Sequence, residues 1–415
     1  MTASSTPPRP IGATDRPARH ARIAVAVLFI VNGVTFASVV PWLPAIKDQL
    51  LLRNTGLGLG WAAGPLGGLA VGIAAGPLAA RFGSGRTATR GALLGLLSLP
   101  AVAVAPTWSA FAISVFLLGA ADAVTDAAMN AHGLLVQRRY GRSIINSFHA
   151  QWSVGAVGGG LLGAGAVALG VPRVLHLSGM AVVLAAAVAL AARWQLRGPD
   201  HIERPPVADR HPAASTGAVH ASRGVRQAVR TAPWLLLGFA SLPMLGGVVE
   251  DSAASWAAVY LRDTLGAAAF VAGLGFVAAQ TMMVVGRVIG DRLVDRFGAG
   301  RIARSGSLLA AVGMLAVVAG PVPLVVVAGF GLAGLGVATL FPLGLAAAGA
   351  IPGVRTADGV AVASWLARLG FLVAPPLVGV VADAASLRWG LALVLGCALI
   401  AAVLSGRLPD DPTSE

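Results

Sequence analysis

Long apolar segments recur along the whole chain, and they constrain its fold more than any other feature. A helix that crosses a bilayer needs roughly 20 mostly apolar residues, and Ile23 to Leu43 and Leu308 to Gly329 are segments of this kind. Hydrophobic residues make up 56% of the 415 residues and charged residues only 11%, whereas a soluble domain carries roughly 25% charged residues. So little charge cannot cover a water-soluble surface of this size, and we expect an all-α integral membrane protein.

The arginines alternate from loop to loop and thereby predict the topology. We predict twelve transmembrane helices near residues 21–47, 56–80, 87–106, 109–136, 144–170, 173–194, 232–261, 267–291, 302–320, 322–349, 356–383 and 387–406. The N-terminal segment and the even-numbered loops then hold most of the arginines. The positive-inside rule places these loops and both termini in the cytoplasm. The net charge of +13 therefore indicates orientation in a plasma membrane rather than nucleic-acid binding.

Polar segments divide the apolar chain into units. We predict a disordered cytoplasmic tail at 1–20, a six-helix bundle at 21–195, a cytoplasmic linker at 196–230, a second six-helix bundle at 231–406 and a short cytoplasmic tail at 407–415. The single cysteine, Cys397, excludes an internal disulfide and a cysteine-based metal site. The scarcity of lysine beside abundant arginine, alanine and glycine is typical of a GC-rich genome and predicts an actinobacterial source.

One loop occurs in both predicted bundles. Arg81-Phe82-Gly83-Ser84-Gly85-Arg86 follows the second predicted helix, and Arg296-Phe297-Gly298-Ala299-Gly300-Arg301 follows the eighth. This loop resembles the G-x-x-x-D-R-x-G-R-R motif of the major facilitator superfamily, which would begin here at Gly76. The resemblance implies two pseudo-symmetric bundles of six helices. The first copy has Ala80 where the family has Asp, whereas the second copy keeps Asp295.

The loop motif implies a cytoplasmic gate whose arginines and aspartates pair in one conformation and separate in another. Alternatively, the arginines only anchor the topology. We expect Arg287 to pair with Asp291, and the second half to hold the stronger latch because only it keeps Asp295. The predicted gate residues are Gly76, Arg81, Gly83, Arg86, Arg287, Asp291, Asp295, Arg296, Gly298 and Arg301.

Three further segments resemble the YbjJ-type bacterial transporters, a group related to sugar permeases. They are Asp126 to Gly133, Ser147 to Ser153, and Trp256 to Asp263 preceded by Glu250. Ser255 departs from this resemblance, since an aspartate is expected there.

Ionisable residues within the predicted helices are the candidates for function, because charge inside a bilayer is costly. Asp122, Asp126 and Asn130 share one stripe of the fourth predicted helix, since 3.6 residues make a turn. Removal from water disfavours the charged form of a carboxyl group, so such an acid can load and release a proton near neutral pH. Alternatively, the acids only form hydrogen bonds with a neighbouring helix.

Other helices add further polar candidates. His149 could relay protons or simply lie at the interface, and Arg368 could pair with Asp122 or Asp126 of the other bundle. We expect Gly246 and Gly247 to break the seventh helix. For Asn32 and Trp152, helix packing is the alternative to substrate binding. The predicted substrate and proton pathway comprises Asn32, Asp122, Asp126, Asn130, His149, Trp152, Glu250, Asp251, Gln280 and Arg368.

These features predict a monomeric secondary active transporter that moves a small organic solute by alternating access, coupled to protons. One alternative is an efflux antiporter for drugs or secondary metabolites, which the lack of proline in 155–160 disfavours. A membrane-embedded sensor or enzyme is a remote alternative, since no phosphate loop, nucleophile elbow or His-Glu-x-x-His motif is present. We expect no catalysis, no cofactor and no metal site; the expected partners are the solute, protons and the lipid bilayer.

Overall fold

The computed structural model describes residues 16–140, 144–196, 233–352, 354 and 356–408. All regular elements in these ranges are helical, and eleven of the helices are long and apolar enough to cross a membrane. A twelfth, Ile145–Ala168, has 24 residues, which at 1.5 Å per residue spans ~36 Å and exceeds the ~30 Å apolar core of a bilayer. The prediction of an all-α membrane protein is confirmed.

We number the membrane-length helices in chain order. They are α1 Arg16–Gln49, α2 Asn54–Phe82, α3 Ser84–Val104, α4 Trp108–Tyr140, α5 Ile145–Ala168, α6 Arg173–Ala192, α7 Trp234–Thr264, α8 Ala269–Phe297, α9 Ala299–Ala319, α10 Pro323–Gly349, α11 Thr356–Ala384 and α12 Leu387–Ser405. Two of them contain a short 3-10 turn, at Val40–Trp42 in α1 and at Gly72–Ala74 in α2. A π-turn, Tyr260–Thr264, ends α7.

The first helix begins earlier than the sequence predicted. The end of the predicted tail, residues 16–20, is helical because it has packing partners: Ala18 is 1% exposed, and the next turn is anchored by the Arg22 guanidinium, which donates to the Tyr140 hydroxyl at 3.0 Å. The rest of that tail, nearly all of the predicted linker at 196–230 and most of the predicted tail at 407–415 lie outside the described residues.

The helices pack as two bundles, α1–α6 and α7–α12, with matching internal contacts. In the first bundle α1 packs on α5, α2 on α4 and α3 on α6; in the second α7 packs on α11, α8 on α10 and α9 on α12. The bundles meet along α2 with α11 and along α5 with α8, a pair of contacts that the same pseudo-symmetry relates. The predicted pseudo-symmetry is therefore present in the packing.

The repeated loop has the same geometry in both halves. Gly83 has φ 85° and Gly298 has φ 87°, a region that glycine adopts without steric cost. Each glycine N–H donates at 2.8 Å to the carbonyl four residues earlier, Ala79 and Val294 respectively. The turn therefore lets one helix end and the next begin within a single residue.

The helical array has two faces. The Arg-rich face carries the α2–α3, α4–α5, α8–α9 and α10–α11 connections, together with the start of α1 and the end of α12. The opposite face carries the α1–α2, α3–α4, α5–α6, α7–α8, α9–α10 and α11–α12 connections. We call it the closed face, because the charged and glycine contacts between the bundles lie in its half of the membrane, as described below.

Candidate functional site

A cavity of about 360 Å³ lies between the two bundles, halfway along the helices. Glycine and apolar side chains form most of its wall. Its polar lining includes residues from six helices: Asn32 on α1, Asp122 on α4, Trp152 on α5, Glu250 and Asp251 on α7, Gln280 on α8 and Arg368 on α11. These are seven of the ten residues of the predicted pathway, although their roles stay predictions.

On the first bundle, three polar residues form a hydrogen-bonded chain across three helices. The Trp152 indole N–H donates to the Asn32 amide oxygen at 2.7 Å. The Asn32 amide nitrogen in turn donates to the Asp122 carboxylate at 2.7 Å. Because a side-chain amide both accepts and donates, Asn32 fixes the orientation of a carboxylate and an indole together.

On the second bundle, the acidic residues of α7 have different surroundings. Asp251 is 5% exposed and accepts a hydrogen bond from the Ser255 hydroxyl at 3.1 Å. The indole of Trp61, from α2 of the other bundle, lies beside the same carboxyl group. Glu250 points instead toward α8, where the Arg287 guanidinium lies 3.9 Å away. The two adjacent acids therefore face different partners, as expected for neighbours on a helix.

Gln280 is the least satisfied polar group of the cavity. Its side chain is 2% exposed, and its amide oxygen is buried without a hydrogen-bond partner. A buried acceptor without a partner costs about 1–3 kcal/mol, a cost that a bound donor would recover.

Three predicted pathway residues lie nearer the Arg-rich face. The Asn130 amide donates to the Asp126 carboxylate at 2.9 Å, so the two residues share a face of α4 as predicted. His149 packs edge-on against Phe29, with the ring centroids 5.3 Å apart. The Asp126 carboxylate is close enough to His149 and Arg368 for their charges to interact. These residues line the approach to the cavity.

Two sequence expectations about the cavity differ from the structure. Arg368 forms no ion pair with Asp122 or Asp126 in the described part of the chain, although it is close enough to Asp126 for their charges to interact. Gly246 and Gly247 do not break α7, which is one continuous helix over Pro233–Val259. They instead allow close packing: a Cβ on Gly247 would lie 3.0 Å from the Phe371 ring.

Charged residues join the two bundles at the closed face. The Lys47 ammonium of α1 lies 2.8 Å from the Asp263 carboxylate of α7. The Arg262 guanidinium lies 2.8 Å from the Asp48 carboxylate and 2.6 Å from that of Asp263. The π-turn that ends α7 presents Arg262 and Asp263 side by side, so the four charges form one network.

A carboxylate of the second bundle caps a helix of the first. α2 begins without a side-chain cap of its own. The Asp383 carboxylate at the end of α11 accepts the backbone N–H groups of Asn54 at 2.9 Å and Thr55 at 2.8 Å. A side chain usually caps its own helix; here the cap is lost if the bundles separate at the closed face.

Glycines bring the bundle backbones together in the same half of the membrane. A Cβ on Gly58 of α2 would lie 3.0 Å from the Pro376 Cα of α11 and closer still to the Pro375 carbonyl. A Cβ on Gly160 of α5 would lie 3.0 Å from the Val277 side chain of α8. Side chains larger than hydrogen at these positions would force the bundles apart.

The aromatic rings of Phe36, Trp61 and Phe276 close the cavity on this side. Phe36 of α1 lies with its ring centroid 5.8 Å from that of Trp61 and 6.3 Å from that of Phe276. The ion pairs, the helix cap and the ring contacts between the bundles that are described above lie in the closed-face half. The cavity is therefore shut toward the closed face and open toward the Arg-rich face.

Most of the predicted gate residues lie exposed on the Arg-rich face in this conformation. Gly76, Arg81, Arg86, Asp291, Asp295 and Arg296 are exposed on the Arg-rich face. Arg81 stacks on Phe82 and Arg296 on Phe297, each with the guanidinium 5.3 Å from the ring centroid. Arg287 lies beside Glu250 rather than pairing with Asp291 as predicted, because α7 brings a carboxylate closer to it. In the described part of the chain, no ion pair joins Arg81, Arg86, Asp295 or Arg296 to the other bundle.

The sequence reasoning missed two groups of residues. In the sequence, Trp61 looks like an ordinary apolar residue. The signal was that it shares a face of α2 with Gly64 and Gly68, which leave space beside its ring. The second group is the closed-face charges, Lys47, Asp48, Arg262 and Asp263. No local signal in the sequence marked them as partners.

A bundle pair around a polar central cavity defines a membrane transporter of the twelve-helix class. A family model described as Major Facilitator Superfamily matches residues 25–256 and 249–415. The chain therefore belongs to the Major Facilitator Superfamily, as the loop motif predicted, and it is a transporter rather than an enzyme.

Related proteins cover nearly the whole chain. The uncharacterized transporter y4wD of Sinorhizobium fredii is 30% identical over 383 residues, which make up 92% of this chain and 96% of the relative. The membrane protein MosC of Rhizobium meliloti is 29% identical over 383 residues, 92% of this chain and 88% of the relative.

Solved structures share the fold at low sequence identity. The nucleoside transporter NupG superposes with a TM-score of 0.71 at 14% identity, covering 93% of this chain and 97% of its own. A bacterial homolog of the human lysosomal transporter Spinster, in an inward-facing and unoccupied conformation, gives 0.73 at 13% identity, covering 95% and 97%. A D-xylose-proton symporter gives 0.70 at 14% identity, covering 96% and 99%. At these identities the likeness shows the fold alone.

Proposed function

We propose that this protein is a proton-coupled secondary active transporter that moves a small organic solute by alternating access. The observation that carries the proposal is the central cavity, which takes polar groups from both bundles and is open toward one face only. Rocking of the bundles about this cavity would close the Arg-rich face and open the other. A single chain supplies both bundles, so we infer that it works as a monomer.

The arginine distribution assigns the orientation. The Arg-rich face is expected in the cytoplasm, which places both termini there in a multi-pass plasma-membrane protein. The structure then represents an inward-open state.

Coupling to protons is proposed from the chain of side chains on the first bundle. Asp126 lies on the open approach, one helical turn from Asp122. A proton on the Asp122 carboxyl would change the hydrogen bond that it accepts from Asn32. The change would pass through the Asn32 amide to Trp152, and so from α4 through α1 to α5. Protonation of Asp122 on α4 can thus alter the packing of α5, the helix that contacts α8 of the other bundle.

Proton coupling is tested in proteoliposomes that enclose a pH-sensitive dye. A metabolite panel is added to liposomes with and without the protein, and solute-driven pH change in the lumen is followed. For a solute that gives a signal, Asp126→Asn is expected to abolish accumulation driven by a proton gradient while solute exchange continues. Solute movement without any proton movement would contradict the coupling, and intact gradient-driven accumulation by Asp126→Asn would remove that residue from it.

Export of drugs or secondary metabolites is the second candidate. The aromatic walls of the cavity, which include Phe36, Trp61, Trp152 and Phe371, favour it because large apolar compounds bind such surfaces. Lower accumulation of fluorescent test compounds in cells that express the protein would support export. Equal or higher accumulation would leave uptake as the direction of transport.

A further inference from the structure

The polar groups of the central cavity differ in what they can offer a bound solute. Asp122 accepts one hydrogen bond, from Asn32, and its other lone pairs face the cavity. Asp251 accepts one from Ser255 and has the Trp61 indole beside it, so Asp251 has less remaining capacity than Asp122. The Gln280 amide oxygen has no partner at all. These groups can still accept hydrogen bonds. A solute that complements them must therefore donate hydrogen bonds.

The charged groups of the cavity also favour a solute that donates hydrogen bonds, here a cation. Three carboxylates line it, Asp122, Glu250 and Asp251, against the single cation Arg368. Arg287 lies 3.9 Å from Glu250 and offsets its charge. The acidic groups of the cavity therefore outnumber its basic groups. An ionised Asp122 carboxylate would attract the ammonium group of a cationic solute and repel an anionic solute.

Gln280 indicates a ligand independently of the acids. It lies on α8, across the cavity from Asp122 on α4, and it is 2% exposed with an unsatisfied acceptor. Buried polar groups almost always find a partner. A partner that enters with the solute satisfies Gln280 only when the cavity is occupied.

The apolar part of the wall also suits a cation. Trp61 and Trp152 line the cavity together with Phe36 and Phe371. Tryptophan faces attract organic ammonium groups through the ring quadrupole. The volume of about 360 Å³ suits a compact molecule, since ligand pockets range from roughly 300 to 1,000 Å³.

From these observations we propose that the central cavity binds compact organic solutes that carry a protonated amine. Asp122 holds the ammonium group, and Gln280 accepts a hydrogen bond from a second donor of the solute. This inference rests on the proposed function, since it names the chemical class that the transporter would carry.

The experiment compares solutes that share a carbon skeleton and carry an amine, an alcohol or a carboxylate. Three skeletons each supply an amine, an alcohol and a carboxylate: glucosamine, glucose and glucuronate; cyclohexylamine, cyclohexanol and cyclohexanecarboxylate; phenethylamine, phenethyl alcohol and hydrocinnamate. Each compound is titrated against the purified full-length protein while its Tm is followed. For at least one skeleton we expect the amine to raise the Tm with a half-saturating concentration roughly tenfold below that of the alcohol, and the carboxylate to have no effect.

Variants locate the effect. Asp122→Asn is expected to remove the preference for the amine over the alcohol, and Gln280→Leu to weaken binding of both. Asp291→Asn is the matched control, because it neutralises an exposed acid outside the cavity; it should keep the preference. If Asp122→Asn does not yield folded protein, the nine titrations of the natural protein still decide the charge preference.

Two kinds of failure are distinguishable. Tm increases with alcohols or carboxylates equal to or above those with amines, or no increase with any amine, would overturn the proposed solute class and leave transport untouched. If amines bind but no solute crosses the proteoliposome membrane, the proposed function fails while the binding preference stands.

Discussion

The two faces of the helical array use their charged residues in opposite ways. At the closed face, Lys47 and Arg262 meet Asp263 and Asp48 across the bundle interface within 3 Å. At the Arg-rich face, the guanidinium groups of Arg81 and Arg296 instead stack on phenylalanines of their own loops. The face with few charges thus pairs them between the bundles, whereas these two arginines of the Arg-rich face contact their own loops.

Electrostatics explains the difference. An ion pair across an interface needs opposite charges on the two bundles, and the closed face supplies both signs from each bundle. The Arg-rich face presents mostly arginines from both halves, which repel within a Debye length of about 8 Å at physiological salt. The density of arginines at a face therefore indicates how the protein is oriented in the membrane. The presence of both positive and negative charges on each bundle indicates where ion pairs hold the bundles together.

A spin-label pair across the closed face measures this comparison directly. Ser109→Cys at the start of α4 and Val322→Cys before α10 place one label on each bundle, in a Cys397→Ser background that removes the single natural cysteine. Both sites are exposed. Short label distances report a shut closed face and long distances an open one.

The largest effect is expected from Gly58→Ala. The added Cβ would lie 3.0 Å from the Pro376 Cα, a backbone atom that cannot turn aside, and overpacking of this kind costs about 1–3 kcal/mol. The label distances should become predominantly long. Gly56→Ala is the control on the same helix, since its Cβ would meet only Leu52 at 3.7 Å and the distances should stay short. Short distances in both variants would contradict the proposed α2–α11 contact.

A smaller effect is expected from Asp383→Ala, which removes the cap that α11 gives to α2. Loss of a helix cap costs about 1 kcal/mol, so the ratio of open to shut closed faces should rise about fivefold. Asp383→Asn keeps one carbonyl acceptor and should have an intermediate effect. If the two variants are indistinguishable from the natural side chain, the cap does not contribute to closure.

The sequence predicted those features that follow from local rules. The helices, the repeat and the glycine turns at Gly83 and Gly298 depend on neighbouring residues, and all were found. Residues such as Asp122 and Gln280 were located because a polar side chain within a bilayer must face water or protein. That rule needs no knowledge of how the helices pack.

Contacts between distant parts of the chain could not be predicted. Lys47 and Asp263 are far apart in the sequence, and nothing local distinguishes them from other loop residues. The partner of Arg287 was predicted one turn away at Asp291, but the packing of α7 on α8 brings Glu250 to it. The tilt between the bundles decides which face is shut, and a sequence with arginines on one face does not encode that tilt.

The charge network of the closed face should contribute less than the cap. Lys47 and Asp263 are partly exposed, at 17% and 26%, and such pairs contribute about 0.2–1 kcal/mol. Lys47→Gln should lengthen the label distances in a minor fraction of molecules. Exchange of the two charges, Lys47→Asp with Asp263→Lys, is expected to restore only part of the closure, because the new lysine would face Arg262. Full restoration would show that Arg262 takes no part in the network.

The smallest effect on the closed face is expected from the Arg-rich loops. Arg296→Gln removes an exposed guanidinium without an ion pair in the described residues, and exposed substitutions usually change stability by less than about 0.5 kcal/mol. Its label distances should match those of the natural side chain. If the predicted gate forms in the opposite conformation, the same substitution should slow transport in proteoliposomes, and more than Arg81→Gln does, because Asp295 is present only in the second half. Equal slowing of transport by the two substitutions would show that Asp295 is not the latch. Longer label distances in Arg296→Gln would show that the two faces are coupled already in the state described by the structure.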